Sequence, residues 1–356
     1  TMTPTGCLPG DLNEDGQMDF VVYYAGRPPV AFINSESRFW PVEVISQTTS
    51  WYTTSGTLAD VNGDGHIDLV FGNFFQDGAD TLDPNGEEPG EMPNSFSRAV
   101  NGGKAHILLW TGLEEGAVPM PRFTEQTGIL SKRVEHGWTL AIGAADLNGD
   151  LLPEIYLAND FGSDALLYNR STNDKLRFIE LKGEKDFTTP VSKLIGRDSF
   201  KGMGVDFADL NQDGYLDIFV SNVAADFTAQ ESHYAFLSSG AVARMDEGIA
   251  PYRDYSDEIG LARSDWGWGI KAADFNNDNK LEIIQATGFI KGKIDRWPDL
   301  LELAIGNDER IPDPRVWPSL QIGDDLSGHA VNPFFVQDKN DYFHDLAPSL
   351  GMGEPY

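Results

Sequence analysis

Five short acid-rich segments hold the residues of this chain that could do chemistry. They are Asp11–Asp19, Asp60–Asp68, Asp146–Glu154, Asp209–Asp217 and Asp274–Glu282, and they align without gaps as D-x-N-x-D-x-x-x-[D/E]. One match of this length arises by chance; five in register do not. Clustered carboxylates repel one another unless a cation joins them.

The chemistry that fits is binding of a hard cation. Ca²⁺ takes about six to eight oxygens at about 2.3–2.6 Å, and side chains at alternate positions of a curled loop converge on one point. Positions one, three, five and nine supply Asp11, Asn13, Asp15 and Asp19 in the first loop and Asp60, Asn62, Asp64 and Asp68 in the second. The third offers Asp146, Asn148, Asp150 and Glu154, the fourth Asp209, Asn211, Asp213 and Asp217, and the fifth Asp274, Asn276, Asp278 and Glu282. Position seven contributes its backbone carbonyl, so its side chain is free to vary, as Gln17, His66, Leu152, Tyr215 and Lys280 do. About five Ca²⁺ ions are expected. Mg²⁺ prefers a small octahedral shell with retained waters and is the poorer choice.

Position six needs a sharp turn with positive φ. Gly16, Gly65 and Gly214 suit it, and Asn279 tolerates it. Leu151 does not, and Pro153 follows, so the third loop is expected to be distorted or lost. An EF-hand would need Glu at position twelve and flanking helices. Position twelve is Val22, Phe71, Leu157, Val220 and Gln285. A dockerin would pair its loops closely, each followed by a helix.

What positions the loops is strand. Small or apolar runs such as Gly56–Ala59, Ile142–Ala145, Val205–Ala208 and Ile270–Ala273 precede them. β-Branched and aromatic runs follow, as in Phe20–Tyr24, Leu69–Gly72, Ile155–Ala158, Ile218–Ser221 and Ile283–Gln285. Two further apolar pieces complete most units. The first is Val30–Ile33, Ile107–Trp110, Leu166–Tyr168, Tyr234–Leu237 or Phe334–Val336. The second is Phe123–Glu125, Tyr255–Asp257 or Phe343–Asp345. Four strands per unit at a period of roughly 40–65 residues is β-propeller arithmetic. The expected fold is an all-β propeller domain over 1–356, with blades near 1–52, 53–130, 131–190, 191–262 and 263–356. Insertions fall at 74–104 and 288–332. The second should hold one helix, with Pro298 at its first position and Gly306 just past its end.

At these residues the chain resembles the FG-GAP/VCBS repeat family, whose relatives include integrin α-subunit propellers. In look it is nearest to bacterial and animal proteins related to cartilage acidic protein, which carry phrases similar to Gly202–Asn222, Trp266–Gly269 and Tyr255–Leu261. The resemblance implies Ca²⁺ in the loop between the first and second strands of each blade. It also implies rings of seven blades, so two further blades are expected outside this chain or without the motif.

The remaining features bound function. The 356 residues carry a formal net charge of −30, with 40% hydrophobic and 11% aromatic residues. That charge excludes nucleic acid, whose phosphates need a basic face, and an anionic membrane surface. No run of about 18 apolar residues suggests a membrane span, and no signal peptide is visible. The single cysteine, Cys7, forms no intrachain disulfide and reads as a buried small hydrophobe in a strand. Asn169-Arg170-Ser171 is an N-glycosylation sequon.

No nucleophile elbow, P-loop, His-Glu-x-x-His zinc motif or Cys/His metal cluster is present. The residues just before the loops (Glu135–Trp138, Arg197–Phe200, Asp265–Trp268) sit at equivalent blade positions that face the axis of a propeller. His136, Trp138, Arg197, Asp265, Trp266 and Trp268 are therefore the candidate ligand-binding set for a glycan or protein, with inter-blade packing the rival role for the tryptophans. The reading is a secreted, periplasmic or cell-surface recognition, adhesion or scaffold module with structural Ca²⁺. One alternative is a saccharide lyase or dehydratase using His136 as base and Arg197 or Lys193 as cation. Another is a subunit that associates with neighbouring blades, domains or chains.

Overall fold

A computed structural model describes residues 2–46, 49–82, 85–199, 201–225, 231–306 and 308–355. Where the sequence reads as one domain, the contacts group into two compact units. The first is Thr1–Glu91 with Ala99–Leu157 and Ala165–Glu180; the second is Met92–Arg98 with Ala158–Asp164 and Leu181–Tyr356.

The fold is all-β and propeller-like. Among the described residues, five antiparallel meanders of four strands form the blades. Blade one is Thr3–Gly10, Asp19–Ala25, Val30–Ser35 and Arg38–Glu43; blade two is Thr53–Ala59, Asp68–Asn73, Ala105–Glu114 and Met120–Gln126. Blade three is Thr139–Ala145, Glu154–Asn159, Ala165–Asn169 and Phe178–Gly183. Blade four is Gly204–Ala208, Asp217–Ser221, Tyr234–Ser238 and Tyr252–Asp254. Blade five is Asp265–Ala273, Glu282–Thr287, Phe334–Gln337 and Phe343–Asp345. Each acidic loop joins the first strand of its blade to the second, as expected.

Strand periodicity explains how blades stack. Successive side chains of a strand point to opposite faces. In blade two, Leu69 packs with Val21, Ala31 and Ile33 of blade one, while its neighbour Val70 packs with Ile155, Leu157 and Leu167 of blade three. In the second unit, Phe219 of blade four meets Ile283 and Phe335 of blade five. Burying each such side chain contributes about 1.5–3 kcal/mol. Loop position two joins the same interfaces: Leu12, Val61 and Leu210 lie in those three cores.

Among the described residues, aromatic side chains stand exposed on two of the blades. Phe275, at position two of the fifth loop, is 49% exposed, and its ring meets Phe334 of its own blade at a tilt. On blade one, Phe20 stacks on Phe32 and meets Phe39 at a tilt, and Phe39 is exposed.

Three local expectations are corrected. Cys7 is exposed rather than buried, because its side of the first strand is open. The segment Tyr255–Asp257 is no strand: the strand ends at Asp254, and Ser256–Ile259 forms a short helix closed by Gly260 at φ 83°. The insertion helix runs Trp297–Ile305, one residue earlier than Pro298 suggested, with Gly306 as its cap. Among the described residues, no helix is long and apolar enough to cross a membrane.

Candidate metal-binding loops and a candidate binding face

The five loops share one hydrogen-bond plan. In loop two, Asp60 Oδ1 accepts from the Asp64 N–H at 3.1 Å and Oδ2 from the Gly65 N–H at 2.8 Å. The first Asp accepts from positions five and six in every other loop as well. Position five accepts from the N–H of position seven, at 2.9–3.0 Å throughout. The Asn at position three donates its amide to position five. Side chains one, three and five are thereby held on the inside of one curl.

Two backbone positions make the curl. Position six has left-handed φ in Gly16 (82°), Gly65 (91°), Leu151 (71°), Gly214 (89°) and Asn279 (66°). Position four does too, in Glu14, Gly63, Gly149, Gln212 and Asn277, with φ between 57° and 80°. The third loop is therefore not distorted. It keeps every shared bond, and Leu151 takes the strained conformation with its side chain 88% exposed. The need for a left-handed residue at position four was not recognised from sequence, because Glu and Gln are unusual there.

Position nine has a task beyond the one its spacing suggested. Asp19, Asp68, Glu154, Asp217 and Glu282 are buried. One oxygen of each accepts from the N–H of loop position two, at 2.8–3.0 Å. In four blades the other oxygen accepts from the third strand: Asn34, Trp110, Asn169 and Ser238. In blade five it accepts instead from Asn276 Nδ2 at 2.7 Å. The residue is a strut between loop and sheet. Desolvation, set against the backbone donors, pushes Asp68 up to about 7, Glu154 to about 8 and Asp217 to about 6, and raises Asp19. Among the described residues no three His, Cys, Asp or Glu side chains gather as a metal cluster. The donors that fit a hard cation are the carboxylates of positions one and five, the Asn oxygen and the position-seven carbonyl. All are oxygens, and the carboxylates keep lone pairs beyond those used by backbone N–H groups.

The candidate ligand-binding residues divide between the units. Trp138, in the first, is buried; its Nε1 donates to Asn101 Oδ1 at 3.3 Å, and Phe74 and Phe75 meet it edge-on. That is packing against the insertion. His136 follows a short helix, 3.7 Å from Glu135. In the second unit Arg197 is exposed, and Phe200 lies outside the described residues. Asp265 has φ 79°. Trp266 is buried, its Nε1 donating to Met203 Sδ at 3.0 Å. Its ring stacks on Trp268 at 5.9 Å and meets Phe289 and Trp297. Trp268 is half-exposed and donates Nε1 to Gly288 O at 2.6 Å. Phe289 and Trp297 come from the second insertion, which supplies half of this aromatic cluster. A one-residue bulge between Gly267 and Ile270 re-aims Trp268.

Three polar groups escaped the sequence reading. Buried His106 bonds Glu125 through Nδ1 (2.8 Å) and Asp77 through Nε2 (2.9 Å), and stacks on Trp51. Burial pushes this imidazole down, but the two carboxylates outweigh it and hold it above its ordinary value. In the second unit buried Lys201 pairs with Glu231 at 2.9 Å, and desolvation pushes nearby Asp160 up to about 7. His233 and Ser264 lie 2.6 Å apart. His233 Nδ1 accepts from the Asn222 N–H, so Nε2 carries the proton and Ser264 is no activated nucleophile. Burial lowers His233 to about 3. The Asn169 sequon is buried, its amide donating to Val61 O and Pro153 O. It offers no glycosylation acceptor in the folded chain.

Blades of four strands, each with an acid-rich turn between its first two strands, define a β-repeat protein. Comparison gives the type: the FG-GAP-like repeat model matches residues 11–71 and 146–220, so the chain carries FG-GAP-like repeats. No curated protein sequence matches it. Among solved structures, rhamnogalacturonan lyase YesW is similar at 15% identity and TM-score 0.42, over 81% of this chain and 47% of that one. The exotype rhamnogalacturonan lyase YesX gives 15% and 0.42, over 96% and 55%. The V. cholerae biofilm matrix protein Bap1 gives 16% and 0.38, over 81% and 35%. The chain thus spans about half the length of the two lyases. Likenesses this remote carry no argument about activity or ligand.

Proposed function

We propose that the chain is a Ca²⁺-ordered repeat module serving extracellular recognition, as an adhesion or scaffold unit. One observation carries the reading: a single oxygen-donor geometry recurs in five loops, down to the left-handed φ at positions four and six. Holding two acids and an Asn inward on one curl costs repulsion that a cation would relieve. Ca²⁺ would be structural, holding the first strand to the second. Its abundance outside cells suits a secreted, periplasmic or surface setting. The half-exposed rings of Trp268, Phe289 and Trp297 are the face proposed for a glycan or protein ligand.

The test is metal content after dialysis against Ca²⁺. About five ions per chain are expected, and one fewer in the Asp60→Asn/Asp64→Asn variant. A chain that retains none overturns the reading.

A second reading, association with neighbouring blades, is favoured by the open faces at Phe275 and at Phe20, Phe32 and Phe39. Leu12, Val61 and Leu210, which hold the position of Phe275 on blades one, two and four, are covered by the next sheet. No observation favours a saccharide lyase: Lys193 is held between Asp254 (3.0 Å) and Asp257 (2.9 Å).

A further inference from the structure

Within each unit neighbouring loops touch, and they touch at related positions. Position four of one loop meets position six or seven of the loop on the next blade. Glu14, position four of loop one, is hydrogen-bonded to His66 Nδ1 at position seven of loop two. At position four of loop two stands Gly63, where a Cβ would lie 2.9 Å from Leu152 Cδ2, position seven of loop three. In the second unit Gln212, position four of loop four, donates Nε2 to the Asn279 carbonyl at 2.6 Å, position six of loop five.

These are the positions that would transmit order. Position four lies between the donors at three and five, and its left-handed φ sets their spacing. Position seven supplies a carbonyl donor, and its N–H is fixed to the carboxylate at position five. From this repeated contact we infer that the cation sites are coupled in series: filling one loop orders the contact residue that shapes the next. The coupling runs from loop one through loop two to loop three, and from loop four to loop five. The inference rests on the loops being Ca²⁺ sites, as proposed above. Coupling of this kind works by removing the cost of ordering the second site.

Simple electrostatics gives the opposite sign. A cation in one loop lowers the negative field that attracts the next, so charge alone makes successive sites weaker. The substitution Gln212→Glu separates the two effects. It adds negative charge beside loop five, which by charge alone tightens Ca²⁺ there. It also replaces the amide donor to Asn279 by an acceptor and breaks the contact.

The experiment is calorimetric Ca²⁺ titration of the full chain, as wild type and as Gln212→Glu, each with and without Asp274→Asn/Asp278→Asn to disable loop five. Gln212→Glu is expected to weaken one site by about five-fold, the lower end of typical site-to-site coupling. The weakening should vanish when loop five is disabled. Tightening or no change on Gln212→Glu overturns the inference. So does a weakening that persists without loop five, since that marks damage to loop four itself. A wild type that takes up no Ca²⁺ sinks the cation reading and the coupling with it, whereas independent sites sink the coupling alone.

Discussion

Asp217 Oδ1 accepts the backbone N–H of Ser238 at 2.8 Å, across blade four from the end of its acidic loop to the third strand. Its other oxygen accepts from Leu210 at the loop's start. This carboxylate closes the loop on the sheet, and Asp19, Asp68 and Glu154 repeat the arrangement in blades one to three.

Asp217→Asn should therefore destabilise the chain even without metal. The amide nitrogen would face one of two backbone donors and leave it unpaired in a buried place, at a cost of about 1–3 kcal/mol. Urea denaturation in EDTA reads the change. An unchanged midpoint would mean that the strut bears no load.

Leu151→Gly should behave in the opposite way. The leucine pays about 1–2 kcal/mol for its left-handed backbone, and its exposed side chain packs on nothing that would be lost. Glycine returns part of the gain as chain entropy. A net increase of up to about 1 kcal/mol is expected in the same denaturation assay, and a decrease would count against strain at this turn.

How much of this was legible in the sequence follows from which contacts are local. The loop motif, the strands beside it and the helix capped by Gly306 rest on neighbours in the chain, and they read directly. The strut at position nine is fixed by residues such as Asn34 and Ser238, which no spacing rule connects to the loop. Position four was silent because Glu14 and Gln212 adopt a glycine-like φ for the sake of the curl. Trp138 and Trp266 were visible as aromatic, but their burial depended on Phe74, Phe75, Phe289 and Trp297 from insertions of unreadable path.

Leu210→Ala and Phe275→Ala provide an internal comparison at loop position two. Leu210 lies in the core between blades four and five, so its truncation should cost about 2–5 kcal/mol. Phe275 occupies the same position on an open face, and its truncation should stay within about 0.5 kcal/mol. Equal costs would show that the face at Phe275 is covered in solution.

The pH profile should carry the mark of His106. Its folded value is raised, so the stability it contributes is complete below about 6.5 and lost as pH rises through the folded value. Glu125 is held down to about 2, chiefly by the hydrogen bond from His106 and also by Lys104. Its contribution is complete above about 4.5 and lost as pH falls toward 2. Melting temperatures taken at saturating Ca²⁺ should thus be best supported between those limits. His106→Gln should remove the alkaline decline, and an unchanged decline would assign it elsewhere.

The central claim is tested most directly by thermal melting of the full chain in EDTA, in Ca²⁺ and in Mg²⁺. A site filled at 100 times its dissociation constant adds about 2.7 kcal/mol, and several such sites should raise the melting temperature by many degrees. The account predicts that rise in Ca²⁺ and a much smaller one in Mg²⁺. Identical melting in EDTA and Ca²⁺ would contradict it.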